Sequence, residues 1–200
     1  HQPQGLWHHV DDRCRCSEYP HRYARYLRPT TKENDPKNIK ENMKDFNIII
    51  VEDVPLELKG TEGIIRNDIP EAHIIGTADS EASFRKLMKQ QLPDLVLLDL
   101  GLGGSTTVGV EICRQTKEEH PEVKVLIFTG EILNEKLWVD VLDAGCDGII
   151  PKTGELLTRS DVASVMDGKQ PVFNQPTLGK IAERFKHSVD NEPLRQEALG

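Results

Sequence analysis

Five polar side chains that can do chemistry stand where apolar runs of this sequence end: Glu52, Asp53, Asp99, Thr129 and Lys152. Three carboxylates brought close together repel each other strongly, so a cation has to lie among them, and Mg²⁺ with oxygen ligands suits such a place. Lys152 adds a positive charge that can reach a carboxylate or a phosphoryl oxygen, and Thr129 adds a hydroxyl donor. Because carboxylates are competent nucleophiles toward phosphorus, these residue types predict transfer of a phosphoryl group onto Asp99.

These residues can meet only if strands deliver them to one place. In the stretch 94–100, four apolar residues lead into Asp99, and a glycine-rich loop follows at 101–104. Such a run is typical of a strand buried on both faces of a parallel sheet, although a short buried helix gives the same signal, and here the flanks favour the strand. The same reasoning predicts strands at 46–51, 72–77, 94–100, 123–128 and 148–151, with helices from 55 and at 80–90, 108–120, 134–144 and 155–167.

Five strand-helix units at this regular pitch predict a right-handed, doubly wound α/β sheet with helices on both faces. In such a sheet the carboxyl ends of the strands share one edge, so the five polar residues are expected to converge there. Pro55 suits the first turn of the first helix, with Asp53 as its N-cap. Gly145 is placed to end the fourth helix in a left-handed conformation.

Composition excludes several classes of protein. The 200 residues carry a net charge of −8 at pH 7, which argues against binding nucleic acid through a general basic field. Four cysteines are too few and too scattered for a disulfide scaffold, and Cys113 and Cys146 fit the pattern of small core residues. No apolar run could span a bilayer, and the amino end lacks the apolar core of a signal peptide. We therefore expect a soluble, cytoplasmic protein with no membrane partner.

Residues 1–45 lack sustained periodicity and are predicted to be a flexible extension. Two sharper hypotheses fall on this segment. One is a contact with nucleic acid or a partner through the arginines and tyrosines of 13–28, which the nearby acids dilute. The other is a metal cluster, although its spacing matches no structural zinc site. That cluster would consist of His8, His9, Cys14, Cys16 and His21.

Four motifs resemble the receiver domain of two-component response regulators: IIIVED at 48–53, LVLLDL at 95–100, LIFTG at 126–130 and AGCDGIIPK at 144–152. The resemblance covers residues 46–168 and implies a flavodoxin-like sheet with strand order 2-1-3-4-5. It implies that Asp99 accepts phosphate from a sensor histidine kinase or a phosphotransfer protein, and that the chain is a phosphoacceptor with at most self-catalysed turnover rather than an enzyme. Mg²⁺ would be held by Glu52, Asp53, Asp99 and the backbone carbonyl of Gly101.

The resemblance also implies that Thr129 and Lys152 engage the phosphoryl group and relay its presence to the surface of helix four, strand five and helix five. The run at 53–60, and a Thr after Lys152, are similar to the subfamily whose receivers precede a LuxR-type helix-turn-helix domain. Two departures stand out. The loop at 103–107 lacks the usual Pro, and Ile149 occupies the strand-five position where the family usually has Tyr or Phe.

Residues 169–200 are expected to be a linker or the start of an output domain missing from this sequence, and DNA would be bound only through that domain. A homodimer is a further expectation. A haloacid-dehalogenase-type phosphatase would need a second acid where Gly101 stands, and the glycine loop lacks the Lys of a P-loop. The remaining alternative is a receiver-like module that binds a protein partner without being phosphorylated.

Overall fold

The computed structural model describes residues 43–131, 135–152, 157–168 and 172–173. Strands and helices alternate through them, with a short 3₁₀ turn at Leu102–Gly104. The elements are β1 (Phe46–Val51), α1 (Pro55–Asp68), β2 (Ala72–Ala78), α2 (Glu81–Gln90), β3 (Leu95–Leu98), α3 (Thr106–Glu119), β4 (Lys124–Thr129), α4 (Glu135–Asp143), β5 (Gly148–Pro151), α5 (Arg159–Asp167) and β6 (Val172–Phe173).

The sheet is parallel throughout, with the order β2-β1-β3-β4-β5-β6. The predicted order 2-1-3-4-5 is confirmed. The sixth strand is an addition, because Val172–Phe173 lies in the segment that was expected to be a linker and pairs with Gly148 and Ile149 of β5. Two residues after a proline are too short to show a periodicity, so the sequence pattern gives no sign of this strand.

Two hydrophobic cores lie on opposite faces of the sheet, because side chains alternate along each strand. Ile49 and Val96 face α2, α3 and α4, whereas Ile48 and Leu95 face α1 and α5. All four of these side chains are fully buried. Burial on both faces explains why the strands read as continuous apolar runs rather than as alternating patterns. Helices on both faces make the sheet doubly wound, as predicted.

Helix ends agree with the sequence in most places. Gly145, just after α4, has φ +86°, which confirms the predicted left-handed position. The predicted start of the fifth helix at residue 155 is wrong. Thr158 is the N-cap of α5, and its side chain exchanges hydrogen bonds with Asp161 in a capping box, so the helix begins at Arg159. Residues 153–156 lie outside the described part.

Several predictions fall on residues beyond the described part of the chain, including the flexible extension, the His and Cys cluster and the basic segment at 13–28. Those for Cys113 and Cys146 can be assessed, and both side chains are buried in the core. Burial raises the pKa of the Cys113 thiol to about 12. None of the helices within the described ranges combines the length and the apolar character needed to cross a bilayer.

Candidate functional site

The carboxyl edge of the sheet collects the polar residues that follow its strands. Glu52 comes directly after β1, Asp99 directly after β3 and Lys152 directly after β5, while Thr129 is the last residue of β4. Because the strands are parallel, these positions lie along one edge. The exposed fraction is 3% for Glu52, 8% for Asp99 and 0% for Thr129. Charged groups that are this buried need partners, and the structure supplies them.

Three carboxylates form the centre of the edge. Glu52, Asp53 and Asp99 each offer one oxygen, and these three oxygens lie within 4.8 Å of one another. One oxygen of each carboxylate also accepts a hydrogen bond from a backbone N–H. Asp99 Oδ2 accepts from Gly101 at 2.7 Å, Asp53 Oδ2 accepts from Gly103 at 2.7 Å, and Glu52 Oε1 accepts from Val54 at 3.0 Å. These hydrogen bonds fix the orientation of the acids.

Asp53 does not cap helix α1, contrary to the prediction. The N-cap of α1 is Val54, which has no side-chain cap. The Asp53 carboxylate instead reaches across to the loop after β3, where Gly103 adopts φ +61° and donates its N–H. A left-handed backbone at this position favours glycine, so the glycine-rich loop serves to bring an N–H to the acidic centre.

Lys152 is the cation of this edge. Its ammonium contacts a carboxylate oxygen of Glu52, lies 2.5 Å from Glu57 Oε2 and lies 3.3 Å from Asp99 Oδ1. Burial disfavours the charged ammonium, but the hydrogen bonds to Glu52 and Glu57 and the charge of Asp99 outweigh it, so the pKa of Lys152 is raised. The aromatic ring of Phe128 lies 5.7 Å from Nζ and adds a favourable cation–π contact.

Glu52 is the most buried of the three acids. Burial raises the pKa of its carboxyl group, and the hydrogen bonds from Lys152 and from the backbone only partly offset that rise. Its charged form therefore depends on a nearby cation. A second cation at this point would stabilise the ionised carboxylate further.

Thr129 accepts hydrogen bonds from the backbone of Lys152 and of Glu131. Its carbonyl accepts the backbone N–H of Lys152 at 2.7 Å, and its hydroxyl oxygen accepts the N–H of Glu131 at 3.2 Å. The hydroxyl proton of Thr129 therefore remains available as a donor. Glu131 was not predicted from the sequence. The one feature of the sequence that could have pointed to Glu131 is its position two residues after Thr129, at the end of β4.

Gly101 lies directly under the Glu131 side chain. A Cβ at Gly101 would come within 2.8 Å of Glu131 Oε1 and 3.0 Å of Asp99 Oδ2, so a glycine fits here without displacing either acid. The Gly101 carbonyl accepts the N–H of Gly104 at 3.0 Å. A carbonyl oxygen has a second acceptor position, so this bond does not prevent it from acting as a ligand.

Ile149 is not brought into the charged edge. It is fully buried in the core shared with α2, α3 and α4, where its side chain packs but has no polar atom to bind a ligand. Six of the seven predicted site residues therefore gather at the carboxyl edge, and Ile149 lies behind them. Those six are Glu52, Asp53, Asp99, Gly101, Thr129 and Lys152.

The donor set at this edge fits Mg²⁺. Three carboxylates with a nearby carbonyl supply the hard oxygen ligands that this ion prefers. Without a cation between them, the three carboxylates would repel one another at these distances. The Lys152 ammonium already shares Glu52 and Asp99, so a metal ion would have to share these two carboxylates with the ammonium.

Comparison with known proteins agrees with this geometry. The family model of the response regulator receiver domain matches residues 48–159, more than half of the chain. The transcriptional regulatory protein LiaR of Bacillus subtilis is 24% identical over 77% of this chain and 71% of its own length. The response regulator protein VraR of Staphylococcus aureus is 34% identical over 49% of this chain and 46% of its own.

ComA, another transcriptional regulatory protein of B. subtilis, is 30% identical over 53% of this chain and 49% of its own length. The chain thus spans about half the length of ComA and VraR.

Solved structures show the same fold. A two-component response regulator of the LuxR family from Aurantimonas sp. SI85-9A1 superposes with a TM-score of 0.61 at 23% identity, covering 72% of this chain and 99% of that one. The isolated receiver domain of RcsB from Salmonella enterica serovar Typhimurium, with the phosphomimetic BeF₃⁻, gives 0.59 at 20% identity, covering 69% and 99%. The predicted resemblance to the receiver domain of response regulators is confirmed. With its sheet order, its acidic centre and the match over residues 48–159, this chain belongs to the response regulator receiver domain family.

Proposed function

We propose that this domain is a phosphorylation-dependent signalling receiver in which Asp99 accepts a phosphoryl group from a histidine kinase or a phosphotransfer protein. The observation that carries the proposal is the placement of Asp99 between two other carboxylates and an ammonium group. In the transfer, an oxygen of Asp99 forms a bond to phosphorus while the bond from phosphorus to the imidazole nitrogen of the donor breaks. The released imidazole nitrogen then takes up a proton, and no oxidation or reduction occurs.

The residues around Asp99 have distinct tasks in this step. The N–H of Gly101 holds one Asp99 oxygen at 2.7 Å, which leaves the other as the nucleophile. Lys152 is protonated and close enough to Asp99 to neutralise charge on the transferred group. Thr129 carries a hydroxyl that can donate to a phosphoryl oxygen. Mg²⁺, when held by Glu52, Asp53, Asp99 and the Gly101 carbonyl, supplies charge neutralisation for the phosphoryl oxygens.

The consequence of phosphorylation would be a change at the surface formed by α4, β5 and α5. Thr129 ends β4 and Lys152 follows β5, so a shift of either side chain acts on that part of the fold. We propose that this change controls self-association and, through an output domain, transcription in the cytoplasm. RcsB provides the precedent, since one of its structures contains two RcsB dimers bound to two parallel DNAs. The chain acts here as a phosphoacceptor and not as an enzyme on an external substrate.

Incubation with acetyl phosphate and Mg²⁺ tests the phosphoacceptor directly. The parent chain should incorporate one phosphoryl group that is stable to acid and labile to base, and Asp99→Asn should incorporate none. Incorporation that survives Asp99→Asn would overturn the assignment. Absence of incorporation in both proteins, with no response to beryllofluoride, would favour a module that binds its partner without phosphorylation.

Lys152 offers a second test, of the coupling between phosphorylation and output. Lys152→Ala should leave the fold intact and should still allow phosphorylation of Asp99, because the nucleophile is unchanged, but at a lower rate, because the ammonium no longer neutralises the transferred charge. Phosphorylation should no longer alter self-association, as measured by analytical ultracentrifugation. An unaltered response in this variant would contradict the role given to Lys152.

A further inference from the structure

Glu57 is an acidic residue at this edge that the proposed function does not use. It lies in the first turn of α1 rather than at the end of a strand, yet its carboxylate reaches to 2.5 Å from Lys152 Nζ. The Glu57 side chain is 47% exposed and the Lys152 side chain 14%. The contact therefore lies at the rim of the site, with Glu57 on its solvent side.

The contact matters because an ammonium group has only three N–H donors. Lys152 lies against three carboxylates, those of Glu52, Glu57 and Asp99. Two of these donors are used by hydrogen bonds to Glu52 and Glu57, while Asp99 Oδ1 lies 3.3 Å from Nζ as an ion pair. A phosphoryl oxygen on Asp99 would therefore compete with Glu52 and Glu57 for the Lys152 ammonium.

Two of these partners have other tasks, and Glu57 does not. Glu52 and Asp99 belong to the acidic centre whose three oxygens lie within 4.8 Å of one another, and Glu57 is not part of it. A metal ion bound by Glu52 and Asp99 would weaken their attraction for the Lys152 ammonium, whereas Glu57 would keep its contact with it. Removing Glu57 would thus release Lys152 without removing an oxygen from the acidic centre.

We infer that Glu57 is a positioning residue that competes with the phosphoryl group for Lys152 and so weakens the phosphorylated state relative to the free one. The inference rests on the proposed function, because it assumes that Lys152 binds the phosphoryl group. Glu57 also lies near the amino end of α1, where an acid interacts favourably with the helix dipole. That interaction alone would not link Glu57 to the affinity of the site for an anion.

The test is the affinity of the full chain for beryllofluoride, measured by titration calorimetry with Mg²⁺ at saturation for each variant. In Glu57→Gln, beryllofluoride should bind roughly two- to fivefold more tightly than in the parent, the range expected when a partly exposed ion pair is removed. Glu57→Asp keeps the charge and its place near the helix end but is shorter by one carbon. It should retain at least half of that gain on a logarithmic scale.

Glu62→Gln serves as the matched control, because Glu62 lies on the same helix and pairs with Arg66 at 3.6 Å, not with Lys152. Its affinity should equal that of the parent. An unchanged affinity in Glu57→Gln would overturn the inference. A gain in Glu57→Gln would also overturn it if Glu57→Asp showed no gain or if Glu62→Gln showed the same gain, because either result would be an effect of net charge alone. Failure of the proposed function looks different, because the parent itself would then bind no beryllofluoride or Asp99→Asn would bind it equally well.

Discussion

Gly109 packs so closely against the backbone beneath the site that a single added methyl group should have a large effect. Gly109 lies in α3 against the chain that follows β3, and a Cβ there would be 2.6 Å from Leu100 Cα, 2.8 Å from the Leu100 carbonyl oxygen and 3.0 Å from the Asp99 carbonyl oxygen. The first two distances are about 1 Å shorter than a normal contact of roughly 3.5–4.0 Å. Because the opposing atoms belong to the backbone, no side-chain rotation can relieve the overlap.

The expected cost follows from two opposing terms. Overpacking costs about 1–3 kcal/mol, and a clash with backbone atoms belongs at the upper end of that range. Alanine in place of glycine inside a helix returns about 1 kcal/mol. Gly109→Ala should therefore lower the free energy of unfolding by roughly 2 kcal/mol.

Gly60→Ala is the matched control, because Gly60 lies inside α1 with nothing within 4 Å of its Cβ position. It should gain about 1 kcal/mol. Urea unfolding followed by circular dichroism measures both variants, and with a slope of about 2 kcal/mol per molar their midpoints should differ by roughly 1.5 M. A Gly109→Ala protein that unfolds at or above the parent midpoint would refute the packing of α3 against Asp99 and Leu100.

Two further predictions concern ion pairs away from the site. Lys117→Met should lower the free energy of unfolding in urea by about 2 kcal/mol, because Lys117 Nζ donates to Asp147 at 3.0 Å and to two backbone carbonyls. Lys117 lies at the amino edge of the sheet, so the affinity for beryllofluoride at the carboxyl edge should stay unchanged. A loss of affinity would contradict the independence of the two edges. Hydrogen bonds from Arg159 lower the pKa of Glu71 below its ordinary 4.5, so this pair stabilises the fold above pH 4.5 and loses its effect as the pH falls through the lowered value. Glu71→Gln should therefore be less stable than the parent at pH 7 and equal to it in acid, whereas a constant difference in melting temperature from pH 7 to pH 3 would exclude this linkage.

The fold and the centre of the site were accessible from the sequence for a physical reason. Parallel strands buried on both faces must be apolar along their whole length, so their ends are marked wherever a polar residue first appears. Asp99 and Lys152 are visible in this way, and the shared edge of a parallel sheet then brings them together without further information. The start of α5 was placed wrongly at residue 155, although Thr158 and Asp161 have the spacing of a capping box.

The contacts of Glu57 and Glu131 were not accessible in the same way. Both side chains belong to segments that follow a strand and then turn back over its end, so the contact depends on the path of the chain and not on a periodicity. Helical side chains point toward the amino end of their helix, which carries Glu57 back to Lys152. Neither the length of this reach nor the choice of partner is encoded in the local pattern.

The two ends of the sheet balance charge in opposite ways. At the amino edge, Asp147 accepts a backbone N–H and lies against Lys117 and Lys124, so its charge is matched within the fold. At the carboxyl edge, burial raises the pKa of Glu52. The folded protein therefore binds that proton more tightly than the unfolded chain, and stability is lost as the pH rises above 4.5 through the raised value. Keeping Glu52 ionised near neutral pH thus costs stability, and a bound cation would recover it. A buried carboxylate that costs stability when it is ionised, as Glu52 does, is expected where the charge serves binding rather than folding.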